Sequence, residues 1–155
     1  MLLRQYRTAD CPELLRLFYD AVHTVAGNVY TQSQLDVWAT GREDAEAWDR
    51  SLRAHYCLVA MEGDRIVGFG DLAEPGYLDR LYVHRQYQGR GIATALCRGL
   101  EAQATGDCLF THASINARGF FEKQGYQTAA CREFRRGGVF LAHYIMVKPL
   151  LRGGR

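Results

Sequence analysis

The spacing of apolar residues changes character near residue 56. Before it, Leu14, Leu17, Phe18, Ala21 and Val22 recur at helical intervals, so one face of that segment is apolar and must bury against something. Asp10, Pro12 and Glu13 predict where the helix begins, as a capping box with proline in the first turn, and Gly27-Asn28 marks its end. Thr31 and Gln34 repeat the capping pattern ahead of Leu35 and Trp38, while Ala45, Trp48 and Leu52 mark a further short helix. Residues 1–6 read as a short first strand. After residue 56 the pattern is strand-like: residues 56–61 and 65–72 are apolar runs joined at Glu62-Gly63-Asp64, a hairpin by composition. Pro75-Gly76 breaks the meander, and residues 77–83 supply the next strand. The helical period then returns with Ile92, Ala93, Leu96, Cys97, Leu100 and Ala104. Residues 108–113 form another strand, parallel to 77–83 if the intervening helix crosses over in the usual right-handed way. A shorter helix over 117–124 ends at Gly125, and residues 127–135 and 139–147 close the chain as a hairpin about Gly137-Gly138.

The predicted class is therefore mixed α/β (α+β), with a mostly antiparallel sheet, one parallel strand pair and flanking helices. A chain of 155 residues, 48% apolar, can bury one substantial core. We expect a single domain over residues 1–150 and a loose tail over 151–155. Lys and Arg total 19 against 17 Asp and Glu, a net charge of +2, and the arginines are scattered, which argues against nucleic acid or an anionic membrane as partner. The five cysteines form no C-x-x-C pair, so metal-binding or redox chemistry is not expected of them, and they read as reduced core residues. No leader-like segment opens the chain and no apolar run approaches the roughly 18 residues a membrane span needs, which makes the cytoplasm the expected location.

Candidate chemistry is concentrated where the strand over 77–83 runs into Gln86-Tyr87-Gln88-Gly89-Arg90-Gly91 and a helix begins. Glycines there let the backbone turn sharply and approach a ligand, and the free N–H groups of the following helix suit an anion. A nucleoside triphosphate loop would need G-x-x-x-x-G-K-[ST], which is missing. A dinucleotide fingerprint fits poorly, because counting on from Gly89 and Gly91 reaches Thr94. A plain helix start without ligand stays open on spacing alone.

Read as Q-x-x-G-x-G, the turn resembles the pyrophosphate-binding motif of the GNAT superfamily of acyl-CoA-dependent N-acetyltransferases. Residues 78–83 are similar to that family's central strand, Phe120-Phe121-Glu122-Lys123-Gln124-Gly125-Tyr126 to its later "F-Y-E-K-x-G-F" segment, and the element order agrees from Asp10 to Leu150. The resemblance implies a GNAT fold in which the central strand splays from its parallel neighbour and pantetheine fills the gap. It implies acetyl-CoA as cosubstrate, no metal, and transfer to an amine of a small molecule or peptide by direct attack. By this carry-over the Leu81 N–H polarises the thioester carbonyl, and Tyr82 and Val83 continue the strand on which pantetheine pairs. The N–H groups of Gln88, Gly89, Arg90, Gly91, Ile92 and Ala93 hold the pyrophosphate, with Arg90 and Arg85 adding charge.

Two departures matter. The tyrosine that many relatives use as general acid is Phe121 here, and the asparagine that usually contacts pantetheine is Ser114. Candidates for the proton transfers are Asp79, which strict strand alternation would place on the same face as Leu81, and His112, Ser114 and Tyr144. Tyr19, His23, Tyr30 and Trp38 make the expected acceptor region aromatic, whereas Trp48 reads as core. The run over 30–39, with 114–121, looks like a bacterial branch of the family whose members mostly lack assigned substrates. The loss of the tyrosine keeps a second function open, a non-catalytic acyl-CoA-binding sensor or interaction module on the same fold. Pairing with a second copy through the last strands is likewise open.

Overall fold

The computed structural model describes residues 1–150, so the expected tail over 151–155 lies outside the described residues. A seven-stranded sheet has the order β1-β2-β3-β4-β5-β7-β6. Strands β1 (Leu2–Gln5), β2 (Tyr56–Glu62), β3 (Arg65–Ala73) and β4 (Tyr77–Val83) form an antiparallel half. β5 (Cys108–Ala113) runs parallel to β4, and β7 (Val139–Pro149) inserts between β5 and β6 (Gln127–Arg136).

Helices cover both faces, which explains why β2 reads as the unbroken apolar run Cys57-Leu58-Val59-Ala60 rather than as an alternation. On one face α1 (Cys11–Val25), α2 (Gln32–Trp38) and α3 (Ala45–Ala54) enclose Leu14, Phe18, Leu52, Val59 and Phe69. On the other, α4 (Ile92–Glu101) and α5 (Arg118–Lys123) pack over Leu58, Val67, Leu78, Leu109 and Met146. The Thr31–Gln34 capping box is present in both directions, Thr31 Oγ1 accepting from the Gln34 N–H and Gln34 Oε1 from the Thr31 N–H.

Several local expectations need correction. Asp10 makes no side-chain cap to α1; its carboxylate accepts from the Arg7 N–H at 2.9 Å and pairs with both Arg4 guanidinium nitrogens at 2.8 and 2.9 Å. The Arg4 guanidinium and that backbone N–H hold the Asp10 carboxyl below the usual range. α4 stops at Glu101, so the buried Ala104 belongs to the connection rather than to the helix. Cys11, Cys57 and Cys97 are buried, but Cys108 and Cys131 are exposed.

Candidate active site

β4 and β5 are joined only at Tyr77↔Phe110 and Leu78↔Thr111, and Thr111 Oγ1 donates to the Leu78 carbonyl at 2.8 Å at this last junction. Beyond it the strands part around a cleft of about 420 Å³ bordered by Leu78, Asp79 and Leu81 on one side and His112, Ala113 and Ser114 on the other. The Arg80 N–H on β4 bonds to Asp71 Oδ1 and the His84 N–H, just past β4, to the Val67 carbonyl, both towards β3. The alternate residues Leu81 and Val83 therefore turn their backbone groups towards the gap. The Val83 carbonyl is already engaged, accepting from Gln88 Nε2 at 2.7 Å.

Past β4 the chain makes one helical turn over Arg85–Tyr87 and reaches Gly89 and Gly91, with φ of +74° and +81°. Both conformations favour glycine, and a Cβ at either would meet nothing within 4 Å, so the turn is open to a ligand. Gly91 caps α4 with no side-chain hydrogen bond, which leaves the first N–H groups of a ten-residue helix available. The Arg90 guanidinium stacks over the Tyr87 ring at 4.8 Å, and Arg85 lies 3.8 Å from the Asp20 carboxylate.

A bulge in the β3–β4 ladder corrects the reading of Asp79. The register passes from Asp71↔Arg80 to Leu72↔Leu78, so Asp79 is the extra residue and alternation breaks there. Leu81 joins the α4 side of the sheet with Leu78, whereas the Asp79 carboxylate lies 3.7 Å from Arg80 and 3.9 Å from His55, on the opposite face from the Leu81 side chain. Asp71, fully buried, anchors this group: it accepts from His55 Nδ1 at 2.8 Å and from the Arg80 backbone and guanidinium. Arg80 also stacks over Trp48 at 4.8 Å, which places Trp48 in the core as expected. Burial, then the nearby Asp71 charge, pushes the Asp79 carboxyl above the usual range, against the pull of Arg80 and His55. Burial and Asp79 push the Tyr77 phenol up to about 12. Ligand atoms of His55, Asp71 and Asp79 lie within 4.8 Å of one another, a spacing a cation could use, but the Arg80 guanidinium is the positive charge bound among them.

The cleft is also walled by Tyr30, Trp38 and the β6–β7 hairpin. Tyr30 is a buried strut: its hydroxyl accepts from the Ile115 N–H at 2.8 Å and donates to the Ala142 carbonyl at 3.2 Å, and its ring meets Trp38 edge-on at 5.3 Å. Burial raises its pKa, so it stays a phenol. Tyr19 and His23 do not reach the cleft; they stack on each other at 4.1 Å, and His23 Nε2 bonds to the Ala39 carbonyl. Phe121 is buried at the cleft edge against Phe120 and Tyr126. Tyr144 lies outside the cleft lining, under the Arg118 guanidinium at 4.3 Å. His112 stacks on His143 at 4.8 Å, a residue the sequence reading missed. Burial, followed by His112 and Arg132, lowers the His143 pKa, and its Nδ1 is buried with no partner among the described residues. Asp71 was missed as well, although one carboxylate inside the apolar run Ile66-Val67-Gly68-Phe69-Gly70 to Leu72 was a legible signal.

Comparison with known proteins bears on this geometry. Residues 27–148 match the family model described as "Acetyltransferase (GNAT) domain". The chain is 34% identical over 151 residues to the uncharacterized N-acetyltransferase YafP of Escherichia coli (strain K12), covering 95% of each. A crystal structure of a GCN5-related N-acetyltransferase from Rhodopseudomonas palustris superposes with a TM-score of 0.92 at 31% identity, covering 96% of this chain and 95% of that one. The structure of yncA, a putative acetyltransferase from Salmonella typhimurium with its cofactor acetyl-CoA, shares the fold, with a TM-score of 0.69 at 20% identity over 100% of this chain and 96% of that one.

Proposed function

The chain belongs to the GNAT family of acetyltransferases, and from that premise we propose that it binds acetyl-CoA along the fork of β4 and β5 and passes the acetyl group to an amine held in the cleft. The observation that carries this reading is continuity. The open backbone groups at Leu81 and the Val83 N–H lead along one strand to the open N–H groups at Gly89 and Gly91, a path suited to a ligand with an amide-bearing arm and a pyrophosphate.

In this scheme the Leu81 N–H stabilises the oxyanion formed when the amine nitrogen attacks the thioester carbon, and the tetrahedral species collapses with release of the coenzyme A thiolate. The attacking amine must first lose a proton, since an alkylammonium with a pKa near 10.4 is almost wholly charged at neutral pH. Asp79 supports that role, as a carboxylate with a raised proton affinity at the cleft wall. Phe121 has no proton to give to the thiolate, which leaves Ser114 and His112, at the end of β5, as donors. Tyr144 is displaced from this scheme by its place under Arg118, and Tyr30 and Trp38 shape the acceptor space. The chemistry needs no metal.

Among the described residues no helix is long and apolar enough to cross a membrane, and we propose the cytoplasm as the place of action. Acetyl-CoA at about 100 times its Kd should add roughly 2.7 kcal/mol of stability, read as a thermal shift. Thiol release across an amine panel then separates turnover from binding alone. The phenyl ring of Phe121 favours the second reading, a sensor that binds acyl-CoA without turnover. Binding without thiol release would establish it, and no thermal shift would overturn both.

A further inference from the structure

We infer that the acceptor amine carries an oxyanion, a carboxylate or a phosphate, at the end remote from its nitrogen, and that Arg136, the hairpin arginine in the cleft lining, recognises it. This rests on the acetyltransferase reading and names the substrate class of that same cleft.

The β6–β7 ladder pairs Arg132 with His143, Phe134 with Leu141 and Arg136 with Val139, so these side chains share one face of the hairpin. Phe134, Arg136, Leu141 and His143 from that face line the cleft. The Arg136 guanidinium leans on the Phe134 ring at 5.4 Å, and the ring in turn lies 5.0 Å from His143. Neither Arg132 nor Arg136 has an ion-pair partner among the described residues. His143, stacked on His112 at 4.8 Å, adds an imidazole to the same face.

Asp79, the one carboxylate in the lining among the described residues, is separated from Arg136 by the successive rings of Phe134, His143, His112 and Tyr77. The space is thus polarised: an anionic end by the thioester position, apolar walls of Phe134, Leu141 and Trp38, and a cationic end on the hairpin. A molecule with an ammonium at one end and an oxyanion at the other satisfies both, because a guanidinium fork binds carboxylate or phosphate oxygens through paired N–H groups. A second ammonium at the hairpin end would meet like charge, which selects against polyamines. Arginines also protect edge strands from pairing, and β6 is an edge. That role is indifferent to the face, however, and Arg135, on the face away from the cleft over Phe140, can serve it.

The test compares matched acceptors in thiol-release assays with acetyl-CoA: para-aminomethylbenzoate against benzylamine, O-phosphoethanolamine against ethanolamine, and spermidine as polycation. The anionic member of at least one pair should have the higher kcat/KM, by about tenfold or more, and the pair with the larger ratio distinguishes carboxylate from phosphate. Arg136→Gln should collapse that ratio, while Arg135→Gln leaves it unchanged. Preference for spermidine or the neutral amines, or a ratio untouched by Arg136→Gln, overturns the inference and leaves the acetyltransferase reading intact. Failure of every amine to release thiol overturns that reading instead. The same pairs titrated calorimetrically into the coenzyme A-loaded protein then decide the inference, tighter binding of the anionic member supporting it and equal or weaker binding overturning it.

Discussion

Gly89→Asp separates a ligand-holding turn from a merely structural one. Gly89 has φ of +74° and open space where a Cβ would go, so the folded chain loses only backbone energy, about 1–2 kcal/mol for an L-residue in the left-handed region. For a chain of this length each kcal/mol lowers Tm by roughly 2–4 °C, so the variant should melt about 2–8 °C early and still fold. Against a pyrophosphate the new carboxylate adds like-charge repulsion. At ~4 Å this is about 1 kcal/mol with water-like screening and about 4 kcal/mol near a protein surface, a loss of affinity from roughly fivefold to several-hundredfold. Gly63→Asp is the matched control, since Gly63 has φ of +57° and equally open surroundings but lies in the β2–β3 turn. Calorimetric titration with coenzyme A at low and at moderate salt is the assay. Both variants should lose similar stability, only Gly89→Asp should lose affinity, and the loss should shrink as salt rises. Coenzyme A affinity at the wild-type level in folded Gly89→Asp would refute the placement of the pyrophosphate.

Tyr30→Phe strips the Ile115 N–H and the Ala142 carbonyl of their shared partner, and a loss of about 1–3 kcal/mol is expected in chemical denaturation, with a raised KM for the acceptor. Asp71→Ala leaves the mostly buried Arg80 guanidinium without its carboxylate, at a cost of about 3–5 kcal/mol; Asp71→Asn, which keeps an acceptor oxygen, should lose less. Asp79 is held above the ordinary carboxylate range, so the acid limb of the kcat profile should lie above that range and disappear in Asp79→Asn. The sign for stability is the reverse of a salt-bridged acid: the folded state disfavours ionised Asp79, so its contribution falls as pH rises through the raised value, and Asp79→Asn should gain stability over wild type at neutral pH.

The fold was readable because the period of apolar residues switches cleanly at residue 56 and the turns carry their own chemistry, as at Thr31–Gln34 and Gly63. The glycine turn was readable for the same reason, since Gly89 and Gly91 are needed for a backbone conformation that local sequence specifies. What escaped depends on register. One inserted residue at Asp79 reverses its face relative to Leu81, and no local pattern announces a bulge inside a seven-residue strand. His143 and Arg136 belong to the cleft only through the pairing of β6 with β7 and of β7 with β5, contacts distant in sequence. Tyr19 and His23 were drawn to the acceptor region by aromatic composition, which says nothing about the side of α1 on which a residue stands.

The position of β7 has a consequence for biosynthesis. Because β7 lies between β5 and β6, the ribosome must deliver the last of the seven strands before the sheet can close, and until residues 139–149 emerge β5 is an unpaired border on an otherwise complete half. The nascent molecule can settle its first four strands early, yet the two sides of the cleft meet only once β7 has emerged. A chain cut short before Val139 would keep the glycine turn while lacking the hairpin wall of the cleft.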